Sequence, residues 1–264
     1  MFEGDERRYL DVGLSAIRCI RHALAMVGAG APRRILDLPC GHGRVLRALR
    51  VAWPEAELTA CDLARDGVDF CARTFGARPV YSEVDPRAVA LARESFDLIW
   101  VGSLLTHLDR ERWSAFLECF HAWLAPEGLL VFTTLGRYAA YRIEQGIEYG
   151  LDARQCSGLL ADFSRDGFGY RDYPGQSGFG LALASPPFVT RLVMRGHDAR
   201  LVTYGEALWD DHQDVVGCQK LARLREEEEP PSVERTPHGA RSSVRAVDET
   251  QRRPTRGAPL PEVR

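Results

Sequence analysis

Residues 34–49 read RILDLPCGHGRVLRAL, and this stretch decides the fold. An apolar run ends in Asp37, a turn containing Gly41 and Gly43 follows, and a helical pattern of apolar residues begins there. A glycine-rich turn between a strand and a helix lets the backbone approach a ligand closely and offers free N–H groups at the helix start. The stretch therefore predicts a strand, a ligand-binding loop and a helix, which together form the first unit of an α/β sheet.

The same alternation of apolar and amphipathic stretches continues along the chain. Further strands are predicted at residues 57–62, 79–82, 96–102, 128–134, 199–205 and 214–220, the last two as a hairpin across a loop of residues 206–213. Strands that are apolar on both faces and alternate with helices are typical of a parallel sheet covered on both sides. We therefore expect an α/β fold with a doubly wound, mostly parallel seven-stranded sheet.

Three regions fall outside this alternation. Residues 1–30 are predicted to form an N-terminal helix that covers the ligand site of the main domain, residues 31–225. Residues 137–186, inserted after the fifth strand, are rich in glycine and aromatic residues and are predicted to be an irregular, mobile lid. Residues 226–264 contain no aromatic residue and much proline, serine and arginine, which predicts a disordered tail because little apolar surface can be buried.

Composition narrows the class of protein. A formal net charge of −3 and the lack of a basic stripe argue against nucleic acid as a partner. No apolar run of about 18 residues is present, which argues against a membrane span. The charged N-terminus does not resemble a signal peptide, and the seven cysteines form no C-x-x-C pair, so we expect a reduced, cytoplasmic protein without a structural metal. The oligomeric state stays open.

The acidic strand end helps to choose between two cofactor classes. Dinucleotide enzymes use G-x-G-x-x-G, whereas here the third glycine is replaced by Leu46. Asp37 would also repel a diphosphate, and it suits a ligand with a cationic amino acid part, such as S-adenosylmethionine. Asp62, which closes the second strand, can accept both hydroxyls of a ribose. An NAD(P)-dependent oxidoreductase is the less favoured alternative, and a protein that binds S-adenosylmethionine without turnover is another.

Residues 34–134 resemble the class I S-adenosylmethionine-dependent methyltransferases, whose fold is Rossmann-like. Four features of that family occur in order, namely Asp37-Leu38-Pro39-Cys40-Gly41-His42-Gly43, Asp62, Phe96-Asp97-Leu98-Ile99-Trp100 and Leu124-Ala125-Pro126-Glu127-Gly128. Pro39 stands where the family usually has its first glycine, and it removes one backbone N–H from the loop. The resemblance implies that the chain binds S-adenosylmethionine and transfers its methyl group.

The resemblance also assigns roles to individual residues. It places Asp37, Pro39, Gly41 and Gly43 around the methionine end of the cofactor, with Asp62 and Leu63 around the ribose and adenine. Two further residues follow strands. Glu83, beyond the third strand, is expected to reach the adenine amino group, and Ser103, beyond the fourth, to lie along the cofactor. Tyr9 is expected to cover the methionine part.

The methyl acceptor is expected at the same edge of the sheet. The insertion after Thr134 and the loop of residues 206–213 both emerge there, and together they supply aromatic side chains for a substrate chamber, Tyr141, Tyr149, Tyr170, Tyr173 and Trp209. His107 and His212 are candidates for a general base, because a histidine titrates near neutral pH. No N-P-P-[YF] stretch follows the fourth strand, which favours an oxygen acceptor over nitrogen. We expect a small molecule such as a sugar, a glycan precursor or a natural product.

Overall fold

The computed structural model describes residues 6–195 and 198–222. The first part of the chain contains α1 (Glu6–Met26), β1 (Arg34–Asp37), α2 (Arg44–Ala52), β2 (Glu57–Asp62), α3 (Arg65–Phe75), β3 (Arg78–Tyr81), β4 (Phe96–Val101), α4 (Arg110–Trp123) and β5 (Leu124–Thr134). The second part contains α5 (Arg137–Glu144), α6 (Ala153–Asp166), β6 (Phe168–Tyr173), β7 (Gln176–Ala184), α7 (Pro186–Val193), β8 (Ala199–Trp209) and β9 (Gln213–Lys220). The predicted tail, residues 226–264, lies outside the described residues.

Seven strands form the main sheet in the order β3-β2-β1-β4-β5-β9-β8. Strands β1 to β5 pair in parallel, and β9 runs antiparallel to both of its neighbours, β5 and β8. β1 is central, since Ile35 pairs with Leu58 of β2 on one side and with Leu98 of β4 on the other. The expected doubly wound, mostly parallel seven-stranded sheet is confirmed, and its strand order reverses beside β1, where ligands bind in open α/β sheets.

Apolar residues of the sheet are buried on both of its faces. On one face β1 and β4 pack against α1 and α2, with Ile20 and Leu46 fully buried between the layers. On the other face they pack against α4, whose Trp113 and Phe120 are fully buried. Burial on both faces explains why these strands read as continuous apolar runs in the sequence rather than as an alternating pattern.

The expectation of an irregular insertion at residues 137–186 is wrong. The segment folds into α5, α6 and the two-stranded antiparallel sheet of β6 and β7. Asp152 starts α6 with a capping box, in which its side chain and that of Gln155 bond each other's backbone N–H groups. The glycines permit close packing instead of irregularity, because a Cβ at Gly169 or Gly180 would collide with a backbone carbonyl.

The connection between β8 and β9 is also shorter than expected. The predicted loop of residues 206–213 is mostly strand, since β8 continues to Trp209 and β9 begins at Gln213. Trp209 is only 3% exposed, packs edge-on against Trp100 with ring centroids 5.4 Å apart, and donates a hydrogen bond to the Val12 carbonyl at 3.1 Å. Because the Trp209 side chain is buried, β8 extends to this residue, although the polar residues around it suggested a loop.

The structure also describes the cysteines and the apolar content of the helices. All seven cysteines are buried and free. Within the described part of the chain, no helix is both long enough and apolar enough to cross a bilayer.

Candidate functional site

A cavity of about 700 Å³ lies at the carboxyl ends of β1, β2 and β4. It is lined by residues of the loop after β1, the ends of these strands, the start of α1 and the end of β8, namely Arg8, Tyr9, Asp37, Pro39, Cys40, Gly41, His42, Arg44, Val45, Asp62, Trp100, Gly102, Ser103 and Trp209. We call this space the cofactor cavity. Six residues that were expected to contact the cofactor therefore line one cavity, Tyr9, Asp37, Pro39, Gly41, Asp62 and Ser103.

Asp62 holds the loop after β1 in place. Its Oδ2 accepts the backbone N–H of Gly41 at 2.8 Å, and its Oδ1 accepts that of Ala64 at 2.9 Å. The backbone N–H of Cys40 adds a bond of 3.0 Å to the Cys61 carbonyl. Each carboxylate oxygen retains acceptor capacity for a ligand hydroxyl, since a carboxylate offers about four lone-pair sites. Asp62 is thus placed both to order the loop and to bind a ribose.

Asp37 is the most unusual side chain of the cavity. It is 1% exposed, and neither of its carboxylate oxygens has a hydrogen-bond partner within the described residues. Burial raises the pKa of Asp37 well above its ordinary value, and the nearby Cys71 and Asp62 act in the same direction. A buried carboxylate without a partner is costly, and a ligand ammonium group would relieve that cost. The residues of the cavity therefore fit S-adenosylmethionine and disfavour a diphosphate.

The two loop glycines have different roles. Gly41 has a φ of +49°, and a Cβ there would meet no atom within 4 Å, so its face toward the cavity is open. Gly43 has a φ of +79°, and a Cβ there would clash with the Phe75 ring and lie 3.1 Å from Cys71 Sγ. Gly43 therefore lets α2 begin tightly against α3 and does not line the cavity, although the resemblance assigned it to the cofactor.

Ser103 is held by residues that the sequence did not single out. Its backbone N–H donates to Thr133 Oγ1 at 2.8 Å, and that hydroxyl donates to Gln213 Oε1 at 2.6 Å. The Gln213 amide closes the ring with a 3.1 Å bond to Ser103 Oγ. Because this ring joins the ends of β4 and β5 to the start of β9, only the assembled sheet brings it together.

Besides Gly43, two further predicted cofactor residues lie outside the lining of the cavity. The side chain of Leu63 is 60% exposed, and that of Glu83 is exposed beyond the end of β3. Their roles at the adenine stay predictions.

His107 lies against the hairpin of β6 and β7. Its Nδ1 is 2.9 Å from the Gly180 carbonyl, which can only accept, so Nδ1 carries the proton and Nε2 is the basic nitrogen. The ring stacks on Phe179 with centroids 4.8 Å apart, and the Tyr173 hydroxyl lies 3.2 Å from Nδ1. Burial lowers the pKa of His107, which favours the neutral ring that a base requires. It does not line the cofactor cavity, and its catalytic role stays a prediction.

His212 lies in the three-residue turn between β8 and β9. Arg142 donates to His212 Nδ1 at 3.2 Å, and the His212 ring stacks on Tyr149 with centroids 5.4 Å apart and planes 10° apart. Burial first, and then the charge of Arg142, lower the pKa of His212. The only nitrogen of a neutral ring that could accept a proton is therefore already occupied, and His212 as a base stays a prediction.

Several residues at the site were missed or misread in the sequence. Trp100 and Gly102 line the cavity but look like ordinary core of β4, and Arg8 looks like part of a solvent-exposed helix face. Arg142 gave no signal, because nothing in sequence joins α5 to the turn after β8. Among the other expected chamber residues, Tyr141 is exposed and Tyr170 donates a hydrogen bond to Asp172 Oδ1 at 2.6 Å.

The chain is similar to known methyltransferases. A family described as "Methyltransferase domain" matches residues 35–128. A malonyl-[acyl-carrier protein] O-methyltransferase of Gallionella capsiferriformans is 28% identical over 209 residues, which are 74% of this chain and 69% of that protein. A trans-aconitate 2-methyltransferase of a Mycobacterium species is 56% identical over 39 residues, 15% of each chain. For several curated malonyl-[acyl-carrier protein] O-methyltransferases the match spans less than half of their length.

A solved structure shares the fold at low sequence identity. The 1,6-didemethyltoxoflavin-N1-methyltransferase of Burkholderia thailandensis, with bound S-adenosylhomocysteine, superposes with a TM-score of 0.54 and 16% identity over 79% of each chain. The sheet order, the loop after β1 with its buried acid, and the family match together identify residues 35–128 as a methyltransferase domain with the class I fold, whose cofactor is S-adenosylmethionine.

Proposed function

We propose that the chain transfers a methyl group from S-adenosylmethionine to an oxygen atom of a small organic molecule. The observation that carries the proposal is the buried carboxylate of Asp37, which has no partner within the described residues and faces a cavity suited to a cationic ligand. When bound, the cofactor supplies a methyl group on a positively charged sulfur. The acceptor oxygen forms the new bond as the bond from carbon to sulfur breaks.

The protein contributes by binding the cofactor, aligning it with the acceptor and excluding water. Asp37 and Asp62 would hold the amino acid and ribose ends, and the backbone at Gly41 allows close approach. The start of α1 closes one side of the cavity, because Arg8 forms a 2.8 Å ion pair with Asp210. Alignment of this kind converts an encounter of two molecules into an effectively intramolecular displacement.

An acceptor that bears a carboxylate is favoured among the oxygen acceptors. The names of the curated relatives specify a malonyl group and trans-aconitate, and both contain carboxylates. A carboxylate is already deprotonated at neutral pH and needs no base, whereas a sugar hydroxyl does. The accepting nitrogen of His212 is already bonded to Arg142, and His107, whose basic Nε2 stays available, does not line the cofactor cavity. Both observations support an acceptor that needs no base.

The cofactor is tested by isothermal titration with S-adenosylmethionine, S-adenosylhomocysteine and NAD⁺. We expect micromolar binding of the first two and none of NAD⁺. Methyl transfer is then measured with methyl-labelled cofactor against two panels of acceptors, small carboxylic acids and neutral sugars, with the methyl esters of the acids as controls. Label in the acids alone supports the proposal. Cofactor binding without transfer to any acceptor would favour a non-catalytic binding protein, and absence of cofactor binding would contradict the assignment.

A further inference from the structure

Among the described residues, no carboxylate forms an ion pair with the positive charge of Arg142. Its side chain is half-buried on α5, and within residues 6–195 and 198–222 it forms no ion pair. Its neighbours on the same side of the molecule do, since Arg8 pairs with Asp210 and Arg137 with Glu206. A partly buried cation is stabilised by an anion nearby, so an uncompensated guanidinium indicates a missing partner.

A hydroxyl beside Arg142 also lacks a partner. The guanidinium carbon of Arg142 lies 5.7 Å from the centroid of the Tyr149 ring. The Tyr149 hydroxyl is buried and has no hydrogen-bond partner within the described residues. Tyr149 also has a φ of +54°, which is strained for a non-glycine residue. Strained residues of this kind are held in place by the surrounding structure and cluster at ligand-binding sites. A buried donor without an acceptor is costly, and a ligand oxygen would relieve that cost.

His212 completes the group as a neutral donor. Arg142 can only donate, so Nδ1 of His212 accepts and the ring proton sits on Nε2. Burial and the charge of Arg142 keep the pKa of His212 low, so the ring stays neutral. Arg142, Tyr149 and His212 together offer hydrogen-bond donors and a single positive charge.

This group adjoins the cofactor cavity. The turn that carries His212 is tied to α1, because Asp210 pairs with Arg8 and its backbone N–H donates to Ser15 Oγ at 3.2 Å. Arg8 and Trp209 line the cavity, and His212 lies three residues beyond Trp209. The turn between β8 and β9 therefore contacts both Arg8, which lines the cofactor cavity, and Arg142 of α5.

We propose that Arg142, His212 and Tyr149 bind a carboxylate of the methyl acceptor and anchor it beside the cofactor cavity. The proposal rests on the proposed function and deepens it, because it names the residues that select the substrate. It makes His212 a binding residue rather than a base. One positive charge with neutral donors matches a carboxylate, whereas a phosphate monoester carries nearly two negative charges at neutral pH.

The test measures binding of defined anions by isothermal titration, with and without saturating S-adenosylhomocysteine. The probes are trans-aconitate and malonate, in which each carboxylate group carries one negative charge, with their full methyl esters as uncharged controls. Inorganic phosphate, which carries nearly two charges on one group, is the different anion. Arg142→Gln is expected to weaken carboxylate binding roughly 10- to 100-fold, since a charge-assisted hydrogen bond is lost, and Arg142→Lys to weaken it less. The matched control is Arg154→Gln, which removes an exposed arginine of α6 and is expected to change nothing.

A second readout does not depend on turnover. Nitrogen NMR of the wild-type imidazoles is expected to show His212 protonated at Nε2, with a pKa that rises when a carboxylate binds. In Arg142→Gln the His212 pKa is also expected to rise, because a neighbouring cation has been removed. Unchanged affinity for S-adenosylhomocysteine in every variant shows that the fold and the cofactor site are intact.

Three results would overturn the proposal. They are carboxylate binding to Arg142→Gln at wild-type affinity, phosphate binding in preference to carboxylates, and a wild-type protein that binds neither acid at millimolar concentration. Failure of the proposed function looks different, because S-adenosylhomocysteine then does not bind at all. The titrations without cofactor still decide the carboxylate site in that case.

Discussion

The carboxylate of Asp62 accepts the backbone N–H of Gly41 over 2.8 Å, and so the end of β2 fixes the loop that follows β1. The same carboxylate caps the start of the next segment through Ala64. One side chain thereby connects three pieces of backbone around the cofactor cavity. A substitution at Asp62 consequently affects both the order of the loop and any bond to a ribose.

Asp62→Ala is expected to weaken binding of S-adenosylhomocysteine by about 100-fold or more, because both functions of the carboxylate are lost. Asp62→Asn keeps one carbonyl acceptor for the loop and is expected to weaken binding less. Isothermal titration measures both, with Glu55→Gln at an exposed position as the control. Undiminished binding by Asp62→Ala would refute the ribose assignment.

Asp37→Asn is expected to raise the stability of the free protein and to weaken cofactor binding. Because burial raises the pKa of Asp37 in the folded chain, ionisation of Asp37 destabilises the cofactor-free protein, and that cost appears as pH rises through the raised pKa. Replacement by asparagine is therefore expected to raise the melting temperature of the free protein by a few degrees, for roughly 1 kcal/mol gained. It is expected to weaken cofactor binding at the same time.

The pH dependence of cofactor binding checks the same residue. In the wild type, affinity for S-adenosylhomocysteine is expected to fall as pH decreases through the pKa of Asp37, since the protonated acid no longer attracts the ligand ammonium group. Asp37→Asn is expected to have lost that dependence. A flat profile for the wild type over this range would show that Asp37 does not contact the cationic group.

Gly43→Ala is expected mainly to lower stability, and Gly41→Ala mainly to lower cofactor affinity. At Gly43 the new Cβ clashes with the Phe75 ring at a positive φ, so unfolding in urea is expected to show a loss of about 2 kcal/mol or more. At Gly41 no atom lies within 4 Å, and only the backbone cost of about 1 kcal/mol is expected. Gly41→Ala is instead expected to lower cofactor affinity, because its Cβ enters the cavity. Equal losses of stability would contradict this division of roles.

His107→Ala and His212→Ala test the candidate bases. If His107 acts as a base, kcat of the wild type rises with pH through a pKa below its ordinary value, because burial lowers that pKa. With a carboxylate acceptor we expect no such limb and little loss of kcat in His107→Ala. We expect His212→Ala to raise KM more than it lowers kcat. Loss of kcat by about 100-fold in either variant, with KM unchanged, would restore the base assignment.

The sequence by itself determined the sheet and the cofactor end of the site. The strands from β1 to β5 follow from apolar runs, and their parallel pairing follows from the helices that alternate with them. Asp37, Gly41 and Asp62 lie at strand ends joined by short connections, so local sequence already places them at one edge of the sheet. These residues lie close together because each follows a parallel strand, and the carboxyl ends of parallel strands meet at one edge of the sheet.

Only the tertiary structure decided the acceptor side. The insertion folds as helices and a hairpin because its glycines allow backbone contacts that no local pattern reveals, as at Gly169 and Gly180. The bond from Arg142 to His212 joins residues 70 positions apart through the packing of α5 against the turn after β8. Such a contact depends on how α5 packs against the turn. That packing follows from the complementary shapes of buried side chains, which local sequence patterns do not reveal.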